Sequence, residues 1–189
     1  YGIESWNIYR NTAGVATTWW RMTNVTNGVT SFTDNNSDST LATQAPTDNG
    51  TPPLFIGMVV HDSRLWGFTS NSSTIWFSNI DDPETFKSSN ALQINRGDGL
   101  YIKAIQVLDN GIAIHKNDLK KNGRIYILRM PTKTSDDWSV VKTDANYSAI
   151  GPDFVAQFLD KAVFANEMGI FTFDRSSSGE KLLLEKISE

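Results

Sequence analysis

A strand–turn–strand pattern occurs three times after residue 54 and limits the chain to a small set of β folds. In each copy an apolar run leads to an aspartate, Asp62, Asp109 or Asp160, and a second apolar run follows it. These aspartates are spaced by 47 and 51 residues, close to the period of about 40 to 50 residues that is typical of β-propeller blades. We expect a fourth, outer strand after each copy, because a blade has four strands. The outer strands are predicted at residues 91–94, 138–141 and 181–185.

The whole chain has the pattern of an all-β protein, since helix signals are scarce and short apolar or alternating runs are separated by turn residues. We predict three blades, at residues 54–99, 100–152 and 153–189. The alternative is three unrelated hairpins in an ordinary sandwich. A closed propeller needs about four or more blades, so the ring is expected to be incomplete in this chain alone.

Residues 1–45 are predicted to form a smaller, partial β-sandwich-like segment with three strands, at residues 5–10, 18–25 and 30–33. Three strands form half of a sandwich and leave open edges, so another segment or chain is expected to complete it. A linker is predicted at residues 46–53, within a stretch from residue 42 that is rich in Pro, Asp, Asn and Thr.

Charge and composition argue against several functions. The formal net charge is -4, and the 17 Lys and Arg residues are scattered, apart from a broken run at residues 116–121. A duplex-binding surface needs concentrated positive charge, so no sequence-specific binding of nucleic acid is expected. The chain has no cysteine, which excludes disulfides, thiolate metal sites and a cysteine nucleophile. No apolar run reaches the roughly 20 residues of a membrane-spanning helix.

Two motifs suggest a metal site, and neither satisfies the pattern. Residues 34–38 place oxygen ligands at alternate positions, but an EF-hand loop needs Gly and Glu where this chain has Ser39 and Ala45. The loop is therefore predicted to bond its own backbone. His61 and His115 lie in different repeats without the spacing of a zinc motif, and each is predicted to stand near a strand end.

Loop carboxylates provide the one enzymatic alternative, because propeller glycosidases use two of them. The candidates are Asp81, Asp82, Glu84 and Glu167. Acidic loop residues are more often solvated, and no Gly-x-Ser-x-Gly turn occurs. We therefore predict no enzyme activity and no catalytic, cofactor-binding or metal-binding residue.

Three further patterns each have a structural and a functional interpretation. Arg-Gly-Asp at residues 96–98 is an adhesion tripeptide, but a turn between blades explains it equally well. Four tryptophans are candidates for stacking on sugar rings or for core and interface contacts: Trp19, Trp20, Trp66 and Trp76. Five Asn-x-Ser/Thr sequons occur and matter only in a secretory protein: Asn24, Asn35, Asn49, Asn71 and Asn146.

Two stretches carry more specific motifs. Residues 54–86 contain Arg-Leu-Trp at 64–66, Trp-Phe-Ser at 76–78 and Asp-Pro-Glu-Thr-Phe at 82–86; residues 6–12 are followed by Ser-Phe-Thr-Asp at 31–34. With the Pro-Pro linker between them, they resemble tailed-phage virion proteins in which a fibronectin-like segment precedes a propeller. The closest type is the tail nozzle or tubular protein of short-tailed phages. The resemblance extends over about residues 5–175, and it is specific only at residues 54–86.

The resemblance implies a structural role in the virion tail, in a homo-oligomeric ring around the DNA exit channel. It implies a hexamer, neighbouring tail or portal-adaptor proteins as partners, and no catalytic residues. A mildly acidic chain without a basic patch fits a channel through which DNA slides. The alternative is a carbohydrate-binding or glycan-cleaving propeller at a host-recognition site. A third hypothesis, an extracellular adhesion module, depends on the tripeptide at residues 96–98.

Overall fold

The computed structural model describes residues 4–15, 17–45, 50–118 and 123–188. The chain divides into two compact units, unit 1 at Tyr1–Asp48 and unit 2 at Asn49–Glu189. It contains four antiparallel sheets, none of them closed, which confirms the all-β fold class. The helices among the described residues are three single 3-10 turns, at Asp38–Thr40, Ser135–Asp137 and Pro152–Phe154.

Unit 1 is a three-stranded antiparallel sheet in the order β1 (Ser5–Arg10), β2 (Trp20–Thr26) and β3 (Thr43–Gln44). The third strand predicted at residues 30–33 is wrong, because these residues are exposed and lie in no strand. The free edge of β2 pairs instead with Thr43–Gln44, through Trp20 and Arg21. The choice of strand is therefore decided by which segment pairs with the edge of β2. The local sequence of residues 30–33 does not reveal that pairing.

No described residue of unit 1 is buried, so its strands are not held by an apolar core. Trp6 and Trp19 are each 50% exposed. Across β1 and β2 the Asn24 amide donates to the Ser5 hydroxyl at 3.0 Å and to Asn7 Oδ1 at 3.1 Å. Backbone pairing and polar contacts therefore hold this sheet together.

Unit 2 contains three four-stranded sheets, and in each the strands follow one another in chain order. Sheet I consists of β4 (Gly57–His61), β5 (Arg64–Phe68), β6 (Thr74–Phe77) and β7 (Ala91–Gln93). Sheet II consists of β8 (Tyr101–Leu108), β9 (Gly111–Asn117), β10 (Gly123–Arg129) and β11 (Ser139–Lys142). Sheet III consists of β12 (Val155–Phe158), β13 (Lys161–Asn166), β14 (Gly169–Asp174) and β15 (Glu185–Lys186).

The first hairpin of each sheet closes with a two-residue turn, and the aspartate of the third turn is shifted by one position relative to the other two. The turns are residues 62–63, 109–110 and 159–160. Asp62 and Asp109 occupy the first turn position, whereas Asp160 occupies the second because Phe158 pairs with Lys161. The equivalent position in sheet III is Leu159, with a φ of 53°.

The outer strands agree with the prediction in two sheets and differ in the third. β7 and β11 overlap the predicted segments at 91–94 and 138–141, but β15 is Glu185–Lys186 rather than residues 181–185. Leu182 is only 5% exposed and belongs to a core cluster. Its N–H donates to the Asp144 carboxylate at 2.8 Å. The segment around Leu182 thus contributes a side chain to the core and does not form the predicted outer strand.

The three sheets stack face to face, and we call the face towards the next sheet in the chain the forward face and the other the backward face. The forward face of sheet I packs on the backward face of sheet II around one core cluster. Its largest members, Trp66 and Phe68, are fully buried against isoleucines such as Ile112 and Ile114 of sheet II. Trp138 closes this core with its ring 5.2 Å from that of Trp66.

The forward face of sheet II packs on the backward face of sheet III around a second cluster. Here the small residues are on sheet II, where Ala104 and Ala113 are fully buried. The large ones are on sheet III, where the rings of Phe164 and Phe171 stack with centroids 5.4 Å apart. Large side chains on one face thus meet small ones on the other, as close packing requires.

All three hairpin turns lie at one end of the stack, which we call the hairpin end. Asp62 of sheet I lies 3.5 Å from Lys133 Nζ of sheet II. Asp109 of sheet II lies 3.3 Å from an Arg175 nitrogen of sheet III. Each first-position aspartate thus pairs with a cation on the loop after the third strand of the next sheet, so these residues connect sheets.

Candidate functional site

One candidate site is an apolar groove where the first strands of the three sheets converge. It has a volume of about 410 Å³. Each of these strands, β4, β8 and β12, is an edge of its own sheet. The groove is lined by Val59, Val60, Ile105, Gln106, Val107, Val155, Ala156 and Gln157. Edge strands are the parts of a sheet that other segments most readily pair with.

Two glutamine amides connect the edge strands β8 and β12 and replace part of the missing ladder. Gln106 Nε2 donates to the carbonyl oxygen of Ala156 and, at 3.1 Å, to that of Val163. Gln157 Nε2 donates to the Val107 carbonyl oxygen at 2.8 Å. Backbone acceptors that would otherwise need water or a partner strand are thereby satisfied, which joins sheets II and III at the groove.

Two sheet faces in the described part of unit 2 carry exposed apolar residues and are not covered by another sheet of that unit. On the forward face of sheet III, Phe158 is 68% exposed, and the Lys161–Asp174 ion pair lies beside it on the same face. On the backward face of sheet I, Val60 is 71% exposed and Met58 is 57% exposed. Large exposed apolar patches mark interaction sites, and Met58 and Val60 stand two residues apart on the same face of β4.

The structure separates Glu167 from the other three loop carboxylates. Asp81, Asp82 and Glu84 lie on the loop between β6 and β7, which is at the hairpin end. Glu167 lies in the turn between β13 and β14, at the opposite end of the strands. Glu84 and Glu167 are also exposed, and a glycosidase needs its two carboxyl groups within about 10 Å of each other.

The two histidines are far from equivalent. His61 ends β4, as predicted, whereas His115 lies inside β9 and is fully buried. Burial lowers the pKa of His115 to about 3, so its ring is neutral. Its Nδ1 accepts the Ala149 N–H at 3.1 Å, and its Nε2 lies 3.4 Å from Gln106 Oε1. Within the described ranges no three His, Asp or Glu side chains cluster as metal ligands would.

The aspartate of the Arg-Gly-Asp tripeptide is engaged inside the fold. Asp98 Oδ1 forms an ion pair of 2.7 Å with Lys116 Nζ, whose side chain is fully buried. Asp98 also accepts the Tyr126 hydroxyl at 3.0 Å and the Leu100 N–H at 3.1 Å. Burial opposes ionisation, but the bonds from Lys116, Leu100 and Tyr126 outweigh it and lower the pKa of Asp98. These contacts support the structural interpretation of the tripeptide as a turn.

Lys116 is the important residue that the sequence interpretation missed. Its Nζ also donates to the carbonyl oxygens of Ile94 at 2.8 Å and Asn95 at 3.1 Å, so all three of its donors are used. In the sequence, Lys116 stands out only as part of a broken basic run at residues 116–121, of which residues 119–121 lie outside the described residues. The alternation with Ile112 and Ile114 places Lys116 on the same buried face and was the available signal.

The polar loop at residues 34–38 is held by a basic side chain in unit 1. Arg10 pairs with Asp34 at 2.9 Å and with Asp38 at 2.7 Å, and it donates to the Asn36 carbonyl oxygen at 2.8 Å. The Ala13 N–H bond to Asp38 contributes most to lowering the pKa of that carboxyl. Both carboxylates of the calcium-like pattern are thus used internally.

The tryptophans divide between core and surface. Trp66 is fully buried and is therefore unable to stack on a sugar, whereas Trp76 and Trp20 are partly buried and Trp19 is half exposed. Of the sequon residues, Asn24 is engaged in the sheet of unit 1, and Asn49 lies outside the described residues.

The comparisons with known proteins place the chain in no family, because neither a family model nor a curated protein matches it. Among the helices of the described segments, none has the length and apolar character needed to cross a bilayer.

Proposed function

We propose that the three sheets of unit 2 are consecutive propeller blades and that the protein is a structural component of a phage tail. In this proposal it contributes to a ring around the DNA exit channel, as in the nozzle or tubular proteins of short-tailed phages. The chain acts by assembly and carries no catalytic centre. The single observation that supports this most is the stacking of three sequential four-stranded sheets with two apolar faces left uncovered.

The arrangement of the strands supports the blade interpretation. Propeller blades are four-stranded sheets placed radially, with their first strands around a central channel. In unit 2 the first strands β4, β8 and β12 converge on one groove. The ion pairs Asp62–Lys133 and Asp109–Arg175 connect successive sheets in the same manner, as a repeated architecture requires.

The charge of the chain supports a role beside DNA rather than a role in holding it. The net charge is -4, and the eight residues that line the groove include no Lys or Arg. A wall that lacks free positive charge gives sliding DNA no phosphate contacts to break. The assignment to a phage tail in this proposal rests on the sequence resemblance at residues 54–86.

Cryo-electron microscopy of the particle that contains this chain tests the proposal. We expect density for the three-sheet stack in a ring around the tail axis, with the chain found in purified virions by mass spectrometry. Absence of the chain from virions would refute the structural role. Location at a fibre tip, together with glycan binding that is lost in Trp19→Ala, would instead support the carbohydrate-binding alternative.

A further inference from the structure

A polar cavity of about 460 Å³ lies at the end of the strands opposite the hairpin end. Its walls are the turn between β5 and β6 and the connection from β7 to β8, at residues 94–100. Cavities that hold small organic ligands typically measure about 300 to 1,000 Å³. A lone inorganic ion is little larger than a water molecule, which takes up about 30 Å³, and would leave most of this space empty. The cavity therefore has room for a ligand of the size of a sugar.

Hydrogen bonds fix the two walls of this cavity relative to each other. The Ser73 hydroxyl donates to the Leu100 carbonyl oxygen at 3.1 Å. The Ile94 N–H donates to the Ser73 carbonyl oxygen, and the Ile102 N–H to that of Ser72, both at 2.8 Å. Ile94 and Ile102 are fully buried in the first core cluster, so the walls are anchored to the core. A preformed site of this kind loses little conformational freedom when a ligand binds.

Arg96 supplies the only charge among the residues that line the cavity. Its side chain is exposed and bonds to no residue in the described ranges. Asp98, the acidic residue of the same tripeptide, instead lines another cavity and pairs with Lys116. The Arg96 guanidinium therefore has no carboxylate on the cavity wall to neutralise it. It is free to bind the paired oxygens of a carboxylate or a phosphate group.

The backbone beside Arg96 is open towards the cavity. Gly97 and Gly99 have φ values of 92° and 78°, and both line the cavity. A Cβ added at either glycine would meet no atom within 4 Å, so the space above this backbone is empty. A ligand held by Arg96 can therefore approach the two glycines closely.

The other lining residues suit a ring that carries hydroxyl groups. Tyr101 is 44% exposed, so part of its ring is available for contact with the apolar face of a sugar. Asn71, Thr74 and Gln93 add neutral donors and acceptors to the wall. Their side chains form no hydrogen bond with the part of the chain that the structure describes. An anionic group, a ring and several hydroxyl groups thus each have a matching element in the cavity.

We propose that this cavity binds an acidic sugar, with Arg96 paired to its carboxylate or phosphate group and Tyr101 against its ring. The neutral side chains bond to hydroxyl groups of the sugar. No carboxylate lines the cavity, so the site lacks the acid pair of a typical glycosidase and is expected to bind without cleaving. This binding function goes beyond the proposed tail function and depends on neither the blade interpretation nor the resemblance at residues 54–86.

Titration of the full chain, followed by nuclear magnetic resonance, tests the site with glucuronic acid, phosphorylated glucose, glucose and inorganic phosphate. We expect the acidic sugars to bind with dissociation constants near or below about 1 mM and to shift the amide signals of Gly97 and Gly99. Glucose and phosphate should each bind about tenfold more weakly or less, because each lacks part of the contacts. Binding of one acidic sugar alone would support the site and identify the anionic group that it takes.

Substitutions test the assigned roles. Arg96→Gln should weaken binding of the acidic sugars about tenfold or more, because it removes a charge-assisted hydrogen bond. Arg96→Lys should weaken it less, since lysine keeps the charge and loses the planar fork. Tyr101→Leu should weaken binding of the sugars and leave binding of phosphate unchanged. The control Arg21→Gln changes an exposed arginine of unit 1 and should change no affinity, and circular dichroism checks that each variant keeps the fold.

Three results would overturn the acidic-sugar site. They are no binding of either acidic sugar up to about 10 mM, binding of glucose or phosphate as tight as that of the acidic sugars, and an unchanged affinity in Arg96→Gln. The tail function is tested separately, by the presence of the chain in virions. Either proposal can therefore fail without the other.

Discussion

Units 1 and 2 are built from the same material, antiparallel strands with frequent aromatic residues, yet only unit 2 buries those residues. Trp6 in β1 is 50% exposed, whereas Trp66 in β5 is fully buried. Both lie on strands with similar residue types. The difference is that unit 1 contains a single sheet, while each pair of stacked sheets in unit 2 encloses a core.

The same contrast applies to the basic side chain that holds a loop in each unit. Arg10 holds residues 34–38 while its own side chain remains 25% exposed. Lys116 holds the connection between sheets I and II with its side chain fully buried. We call Arg10 the exposed clamp and Lys116 the buried clamp. Because their surroundings differ, substituting each should change the free energy of unfolding by a very different amount.

The largest expected effect separates the two tryptophans. Trp66→Ala should lower the free energy of unfolding of unit 2 by about 3 to 5 kcal/mol, because it opens a cavity in the first core. Trp6→Ala should change it by less than about 0.5 kcal/mol, as exposed positions do. Urea unfolding followed by far-ultraviolet circular dichroism measures both. Equal effects would show that the core of unit 2 is not organised around Trp66.

The buried clamp should follow closely in size. Lys116→Met should cost about 3 to 5 kcal/mol of unfolding free energy, because it leaves the Asp98 charge without its partner inside the fold. Adding Asp98→Asn to Lys116→Met should recover part of that loss, since the unpaired charge is then gone. If the double variant is no more stable than the single one, the ion pair does not explain the cost.

A smaller effect is expected from pH through His115. The folded pKa of about 3 lies below the ordinary value of 6.5, so protonation favours the unfolded chain. Stability should be complete above about pH 6.5 and should fall as the pH drops from 6.5 towards 3, with about 2 kcal/mol lost between pH 7 and pH 5.

The control for this prediction is a pair of substitutions measured by urea unfolding at both pH values. His115→Asn, which keeps a side-chain acceptor for the Ala149 N–H, should remove most of the difference. His61→Asn should remove less of it, because His61 is only partly buried, although burial lowers its pKa as well. A pH dependence that survives His115→Asn would contradict the assignment.

The smallest effect is local and concerns the exposed clamp. Arg10→Met should speed amide hydrogen exchange at Ala13, whose N–H bond to Asp38 depends on the position of that carboxylate. The unfolding midpoint of unit 2 should not move, because Arg10 bonds to Asn36, Asp34 and Asp38, which all lie in unit 1. Hydrogen exchange with mass spectrometry reports both, and a shift in unit 2 would contradict the independence of the clamp.

The sequence predicts many strands of this protein because they follow local patterns. β1 is predicted with its observed bounds, and β7 and β11 lie at or next to the predicted outer strands. The errors occur where a partner decides the outcome. Residues 30–33 have a strand pattern but no partner edge, and Leu182 leaves the predicted outer strand to enter a core.

The candidate sites were less predictable than the fold. The sequence offered loop carboxylates, histidines and the tripeptide at residues 96–98, whereas the structure separates Glu167 from the other loop carboxylates and places Asp98 against Lys116. The groove and the two open faces involve residues from strands far apart in the chain, such as Val60 and Phe158. No short motif marks such a surface.

Residue order alone thus determined the all-β class, the recurrence of hairpins and the absence of cysteine chemistry, because alternation and turn residues act over a few neighbouring positions. Tertiary structure alone decided which aromatic residues are buried, which basic residue becomes a core clamp and which sheet faces remain open. These properties depend on which sheets stack, and the contacts between sheets join residues about fifty positions apart, such as Gln106 and Ala156.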